Sequence, residues 1–330
     1  MCADVKSGNS PRSRFITVDW QDCVWQPRIE VRSLPSSRRR VAARPLSAPT
    51  PDFSPRRRNL IFQKTMKTNL PHSRRNRAGF TLVEMLVVIA IISILAAILL
   101  PALAVAHQHA LKVKAHMEAV SIATAIQGYD SAYSRFPVSA AAQNQAVQNA
   151  KLLRSPNGDF TYGGTFKTPN GSLSEGTPVN GSIMTNAEVI AILMDVTNYP
   201  GGGPTVNNNY VMNPQQQTFL SAHPSGDTSS PGVGTDLVYR DPWGNPYIIT
   251  MDLNYDGLCQ DTFYCLQKVS QQSGTTGWNG LVSSGNNAMN PDDFQYRGPV
   301  MVWSAGPDGQ IDPNNSANVG ANKDNILSWQ

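Results

Sequence analysis

Glu84 is the residue whose chemistry asks for an explanation first. It stands near the start of "RAGFTLVEMLVVIAIISILAAILLPALAVA", Arg77 to Ala106, a run that is otherwise apolar from Phe80 onward. A charge at bilayer depth is costly unless paired, so a carboxylate in such a place is functional by default. A second set of oxygens lies in "DLNYDG", where Asp252, Asn254 and Asp256 alternate ahead of Gly257. That spacing matches the opening of a calcium loop, with ligands at positions one, three and five and Gly for the sharp turn. Position twelve, where an EF-hand needs a bidentate Glu, is Phe263, so a complete EF-hand is excluded. Asp261 is available as a late ligand, and an ordinary polar turn is the competing reading. Asp312, in the acidic C-terminal stretch, is a further Ca2+ candidate on its chemistry alone. His107 and His109 are two apart and do not share a helix face; with His116 they read as solvated or interfacial side chains. HExxH, GxSxG and GxxxxGK[ST] are all missing, and the Gly201–Gly203 run lacks the Lys-Ser or Lys-Thr of a phosphate loop. Nothing here argues for an enzyme.

The element that positions Glu84 is a helix long enough to cross a membrane. Met85 to Ala106 are 22 residues without a charge, with Ser93 the lone polar side chain and Pro101 the lone helix disturber. About 20 such residues span a bilayer. The run is apolar on every side, unlike a soluble amphipathic helix, and is too long for the apolar region of a secretory signal. Arg74, Arg75 and Arg77 precede it, which by the positive-inside rule keeps the N-terminus cytoplasmic and exports the chain beyond about residue 106. Charge divides at the same place. Residues 1–79 hold 17 Lys/Arg against 5 Asp/Glu, a net of +12, and residues 80–330 hold 10 against 18, a net of −8. The basic part, with "SSRRRVAARPLSAPTPDFSPRRR", has no sustained period of two or 3.6. It reads as disordered or as sequence upstream of a true start at Met66, ahead of a nucleic-acid-binding tail. A start at Met66 would remove Cys2 and Cys23.

"RAGFTLVEMLVVIAIISILAAILLPALA" resembles the N-terminus of the type IV pilin and type II secretion pseudopilin family. The shared features are a basic leader ending in Gly, then Phe, then a carboxylate at the fifth position after Gly, then a long apolar helix. The resemblance implies that a prepilin peptidase cuts between Gly79 and Phe80 and methylates the new amine on Phe80. It implies that Glu84 is the buried carboxylate used in assembly, and that Pro101 is the family's helix-kinking Pro. Cleavage would create the cation that Glu84 lacks, and Glu84 of one subunit would pair with the Phe80 amine of its neighbour. A buried polar pair of this kind sets register. The implied organisation is 1–65 basic, 66–79 leader, 80–106 transmembrane helix, 107–136 exported continuation of that helix, and 137–330 head.

In the head, Leu111, Met117, Val120 and the 123–127 region recur near helical spacing, and Pro137 is the expected stop. Residues 138–185 read as loop with one short strand. Thr185 and Glu188 have capping-box spacing ahead of a helix over about 186–196. "LVY" and "YIITM", joined by the turn-rich "RDPWGNP", predict a hairpin, with "PVMVWS" at 299–304 as a third strand. The fold class is therefore α+β and pilin-like, a long N-terminal helix packed on a small antiparallel sheet with long loops. "DPWGNPY" resembles a motif of the major pseudopilin of type II secretion. By the same resemblance, "GPDG" and "KDNILSW" correspond to a calcium-binding C-terminal loop, with Asp308 and Asp324 carried over as ligands of a structural Ca2+. Cys259 and Cys265 enclose five residues, and in an exported head a disulfide between them is expected ahead of a metal site.

The function expected is that of a structural subunit of a type II secretion pseudopilus; the alternative is a type IV pilin or minor pilin serving adhesion or DNA uptake. Its partners would be prepilin peptidase, further pilin or pseudopilin subunits in a homopolymer, the inner-membrane assembly platform and its ATPase. The pseudopilin reading involves the membrane and no nucleic acid. It places a single-pass chain in the bacterial inner membrane with the head periplasmic, or extracellular in a filament.

Overall fold

The computed structural model describes residues 79–151, 158–285 and 290–330. The expectations for residues 1–78, Cys2 and Cys23 among them, lie outside the described residues. Helix α1, Leu82–Tyr133, runs for 52 residues, about 78 Å at the helical rise. Pro101 lies inside it, where it removes one backbone donor. The helix ends at Ser134, whose left-handed backbone (φ 52°) directs its N–H to the Asp130 carbonyl at 2.7 Å. The stop therefore comes three residues before Pro137, through a C-cap of the αL kind.

The face that α1 turns to the head consists of Ala115, Ala119, Ile122, Ala125, Ile126 and Tyr129, all buried. Met117 and Val120, expected from their spacing to lie on the face toward the head, are instead 65 % and 37 % exposed. Small alanines let the helix approach the strands closely, so the inner face here is marked by small size more than by hydrophobicity.

After α1 come α2 (Ala140–Lys151), β1 (Phe160–Tyr162), β2 (Gly164–Thr168), β3 (Gly171–Glu175), β4 (Pro178–Val179), β5 (Ser182–Ile183) and α3 (Ala187–Leu193). β6 (Gly232–Val233), β7 (Tyr239–Arg240) and β8 (Ile248–Met251) precede the single-turn α4 (Gln267–Ser270). β9 (Gln271–Ser273), β10 (Thr276–Gly277), β11 (Val300–Ser304) and β12 (Ile326–Leu327) complete the chain. The fold is α+β and pilin-like: the long apolar helix lies against a four-stranded antiparallel sheet in the order β1-β8-β11-β12. Every residue of β8 and β11 is buried. Alternation along the strands then feeds two cores. Ile249, Met251, Val300 and Val302 join Ile122, Ile126 and Tyr129 on the α1 side. Ile248, Met301 and Trp303 join Phe166, Phe263, Tyr264 and Val269 on the other.

Three local expectations change. The reversal at "RDPWGNP" is present, with Tyr247 N–H donating to the Tyr239 carbonyl and a bridge from Arg240 to Pro246. However, β7 pairs with β6, and β8 with β1 and β11, so beyond this reversal the two arms of the expected hairpin pair with other strands instead of with each other. Residues 138–185 hold a 12-residue helix and five short strands in place of loop; the Ala-rich "AAAQNQAVQNAK" carries high helix propensity. The Thr185–Glu188 capping box does not form. Asn186 occupies the N-cap, and Glu188 accepts from the Tyr162 hydroxyl at 3.1 Å.

Buried carboxylates tie the loops to the sheet. Asp241 of "DPWGN" accepts from the N–H groups of Trp243 and Asn245, from the Asn245 amide, and from the Ser304 hydroxyl of β11. Asp261 is fully buried; its Oδ1 accepts from the N–H groups of Phe263 and Tyr264, and its Oδ2 from Thr250 Oγ1 at 2.6 Å and Trp303 Nε1 at 3.1 Å.

Candidate processing and assembly site

The residues expected to carry processing stand at the free end of α1. Gly79 and Phe80 are exposed, Phe80 by 76 %, so the bond between them is open to an enzyme. A Cβ on Gly79 would meet nothing within 4 Å, so nothing in this subunit demands Gly there. Thr81 and Glu84 close a reciprocal capping box. Glu84 Oε2 accepts from Thr81 N–H and Thr81 Oγ1, both at 2.8 Å, and Glu84 N–H donates back to Thr81 Oγ1 at 3.2 Å. The Thr-x-x-Glu spacing is visible in the sequence, and Thr81 is the functional residue that reasoning from the carboxylate alone passes over.

Behind this cap the helix is apolar and uncovered. Leu82, Leu86, Ile89, Ile92, Leu99 and Leu103 are each more than half exposed, and Ser93 Oγ donates to the Ile89 carbonyl, hiding the one polar side chain. Among the described residues this is the one helix long and apolar enough to cross a membrane. The exposure continues past the apolar run as a stripe at helical spacing: Val113, Met117 and Val120.

The calcium candidates divide into separate places. Asp252, Asn254, Asp256 and Gly257 form one tight turn: Asp252 accepts from the N–H groups of Asp256 and Gly257 at 3.3 and 2.8 Å, and Gly257 has φ 81°. Asp261 does not join them, because its lone pairs are committed to Thr250, Trp303 and two backbone donors inside the core. Asp159, which no spacing in the sequence singles out, does. It is 1 % exposed; Oδ2 accepts from Gln260 N–H at 2.6 Å, and Oδ1 has no hydrogen-bond partner. Burial first, then the charges of Asp252 and Asp256, push its carboxyl up to about 8, against the Gln260 and Leu253 amides that lower it. Asp308 and Asp324 are neighbours: burial and the Asp308 charge raise the Asp324 carboxyl while Lys112 opposes them. Asp312 is held apart by its own turn with Asn314 and Asn315. Among the described residues no three His, Cys, Asp or Glu side chains are already assembled as a metal cluster.

The shift at Asp159 has a pH consequence. An unfolded Asp ionises near about 3.9, so between there and about 8 the folded state keeps a proton that the unfolded chain has lost. Its contribution to stability is complete below that window and is lost as pH rises through it. In chelator, the melting temperature is expected to fall from pH 5 to pH 8, and Asp159→Asn should flatten that slope; an equal slope in the variant would contradict the assignment.

The expected Cys259–Cys265 disulfide is not formed. Both thiols are free and buried. Cys259 is fixed by a backbone bridge to Tyr296, while Cys265 directs its thiol to the Thr262 carbonyl at 3.3 Å. Alkylation of the denatured chain cut after Gly79, without reductant, should add two labels, and none if the bond exists. Of the histidines, His116 meets the Leu327 carbonyl at 2.9 Å and so ties α1 to β12; His107 and His109 are exposed.

Comparison with known proteins adds one match. Neither curated proteins nor solved structures give one. Residues 74–100 match the family described as the prokaryotic N-terminal methylation motif, which marks the chain as carrying a prepilin-type segment and indicates a structural, pilin-like subunit processed by prepilin peptidase.

Proposed function

We propose that this chain is a structural subunit of a type II secretion pseudopilus. It waits in the inner membrane with its N-terminus cytoplasmic and its head exported, is cut after Gly79 and methylated on Phe80, and then enters the filament through α1. The observation that carries the reading is a helix uncovered on all sides, Leu82 to Val105, with a single carboxylate at its first turn. Lipid covers such a helix before assembly, and neighbouring helices cover it afterward. The exposed Val113, Met117 and Val120 extend the contact surface beyond the bilayer, and the buried alanines face the chain's own sheet.

Glu84 is suited to both stages. In the single subunit its carboxylate is held by Thr81, so it need not enter the bilayer unpartnered. In the filament the Phe80 amine of the adjacent subunit supplies the opposite charge, and the pair is satisfied only in one axial register. The assembly platform, its ATPase and further pseudopilins are the partners this requires. "DPWGNPY" favours the pseudopilus over a surface pilus. Shearing whole cells tests that choice: the protein should stay with the cells, and abundant release in the filament fraction would favour a type IV pilin with adhesive or DNA-uptake function.

A further inference from the structure

The turn at Asp252–Gly257 lacks one thing that a calcium loop needs, a strong carboxylate at position twelve. Phe263 occupies that position and lies wholly in the second core. The structure brings a carboxylate to the turn from elsewhere. Asp159 directly precedes β1, and β1 pairs with β8, the strand that runs into Asp252, with Phe160 opposite Met251. Strand register therefore delivers Asp159 to the mouth of the turn. Gly158 packs against Asn254 so closely that a Cβ there would come within 2.9 Å of its side chain. The Leu253 amide and the charges of Asp252 and Asp256 all act on the Asp159 carboxylate, which places it at the turn, and its Oδ1 has no hydrogen-bond partner.

We propose that Asp159, Asp252, Asn254 and Asp256 bind one Ca2+, Asp159 supplying from the start of β1 the carboxylate that position twelve of the loop lacks. Asp159 and Asp252 are 1 % and 3 % exposed and form the fixed inner wall. Asn254 and Asp256 are exposed on the outer side, where the Asn254 amide now donates to Asp256 Oδ2 at 3.1 Å. Ion binding turns these two side chains inward, replacing that contact with oxygen ligation. Backbone carbonyls and water complete the roughly six to eight oxygens Ca2+ takes. The chemistry favours a cation on a second ground. A buried carboxylate oxygen without a partner is costly, and neither ion pair found among the described residues involves these carboxylates. The site lies apart from the Asp308 and Asp324 pair, and it would serve the head equally in either kind of filament.

The test is calcium titration of the full chain in detergent micelles, by calorimetry and by melting temperature, starting from chelator-treated protein. One site is expected, with a Kd of about 10⁻⁴ to 10⁻³ M as in extracellular modules, together with a calcium-dependent rise in melting temperature. Asp159→Asn should weaken binding at least about tenfold and abolish the rise, while melting no lower than the native chain in chelator because a neutral amide replaces an unpartnered buried carboxylate. Asp256→Asn, at an exposed position that folding does not need, should weaken binding likewise. Asp308→Asn should leave the affinity unchanged. Absence of binding up to about 10 mM would overturn the proposal. So would affinity lost in Asp308→Asn and retained in Asp159→Asn and Asp256→Asn, or an equal response to Mg2+ alone.

Discussion

Glu84→Ala is expected to leave membrane insertion and the fold of the head unchanged and to abolish filament formation. Insertion is driven by the 22 uncharged residues behind position 84, which the substitution does not touch. The buried face of α1 begins at Ala115, far from position 84, so the stability of the head does not sense the first turn. The substitution removes the acceptor for the α-amine that cleavage creates on Phe80. An uncompensated charge beside or within the bilayer costs several kcal/mol per subunit, and the penalty recurs at every addition to the filament. Loss of the capping box is a smaller effect, about 1 kcal/mol at the helix start. Thr81→Ala separates the two: it removes the cap and keeps the carboxylate, so it should reduce filament yield far less than Glu84→Ala. Membrane fractionation and filament yield read both outcomes, and a filament yield from Glu84→Ala equal to the native chain would remove the assembly role.

Asp261→Ala should unfold or severely destabilise the head. Removing the carboxylate leaves Trp303 Nε1 and the N–H groups of Phe263 and Tyr264 without their acceptor in a fully buried place, and leaves Thr250 Oγ1 with the Thr161 hydroxyl alone. Stranding part of a buried network costs about 3–5 kcal/mol, a large share of the roughly 5–15 kcal/mol that separates a native domain from its unfolded chain. For a head of this size the melting temperature should fall by at least about 6 °C. Asp261→Asn is the informative partner. Its carbonyl still accepts from the two backbone donors, but its NH2 group is set against the Trp303 N–H, so the loss should be intermediate. Equal stability of Asp261→Ala and the native chain would mean that the loop after β8 is not held by this carboxylate.

The parts of the fold that are legible in sequence are those with strong local signals. Twenty-two uncharged residues admit one reading, and the β-branched runs at 248–251 and 300–304 are the two central strands. The inner face of α1 is easily misread because Met117 and Val120 are larger and more hydrophobic than the alanines that pack. Helix α2 is obscured by the Gly- and Asn-rich segment after it. Asp159 and Asp261 are beyond reach for a different reason. Their significance comes from pairing across the sheet, as in the bond from Gln260 to Asp159, 101 residues apart, which no spacing rule registers. Cys259 and Cys265 show the converse: closeness in sequence suggests a bond, and both thiols are free.

The central claim is that Gly79–Phe80 is a cleavage point and that the chain in the membrane begins with the amine Glu84 needs. Intact-mass measurement of the protein isolated from membranes tests it most directly. The expected result is a chain that begins at methylated Phe80. A mass that still includes residues 66–79, or all of 1–79, would contradict it.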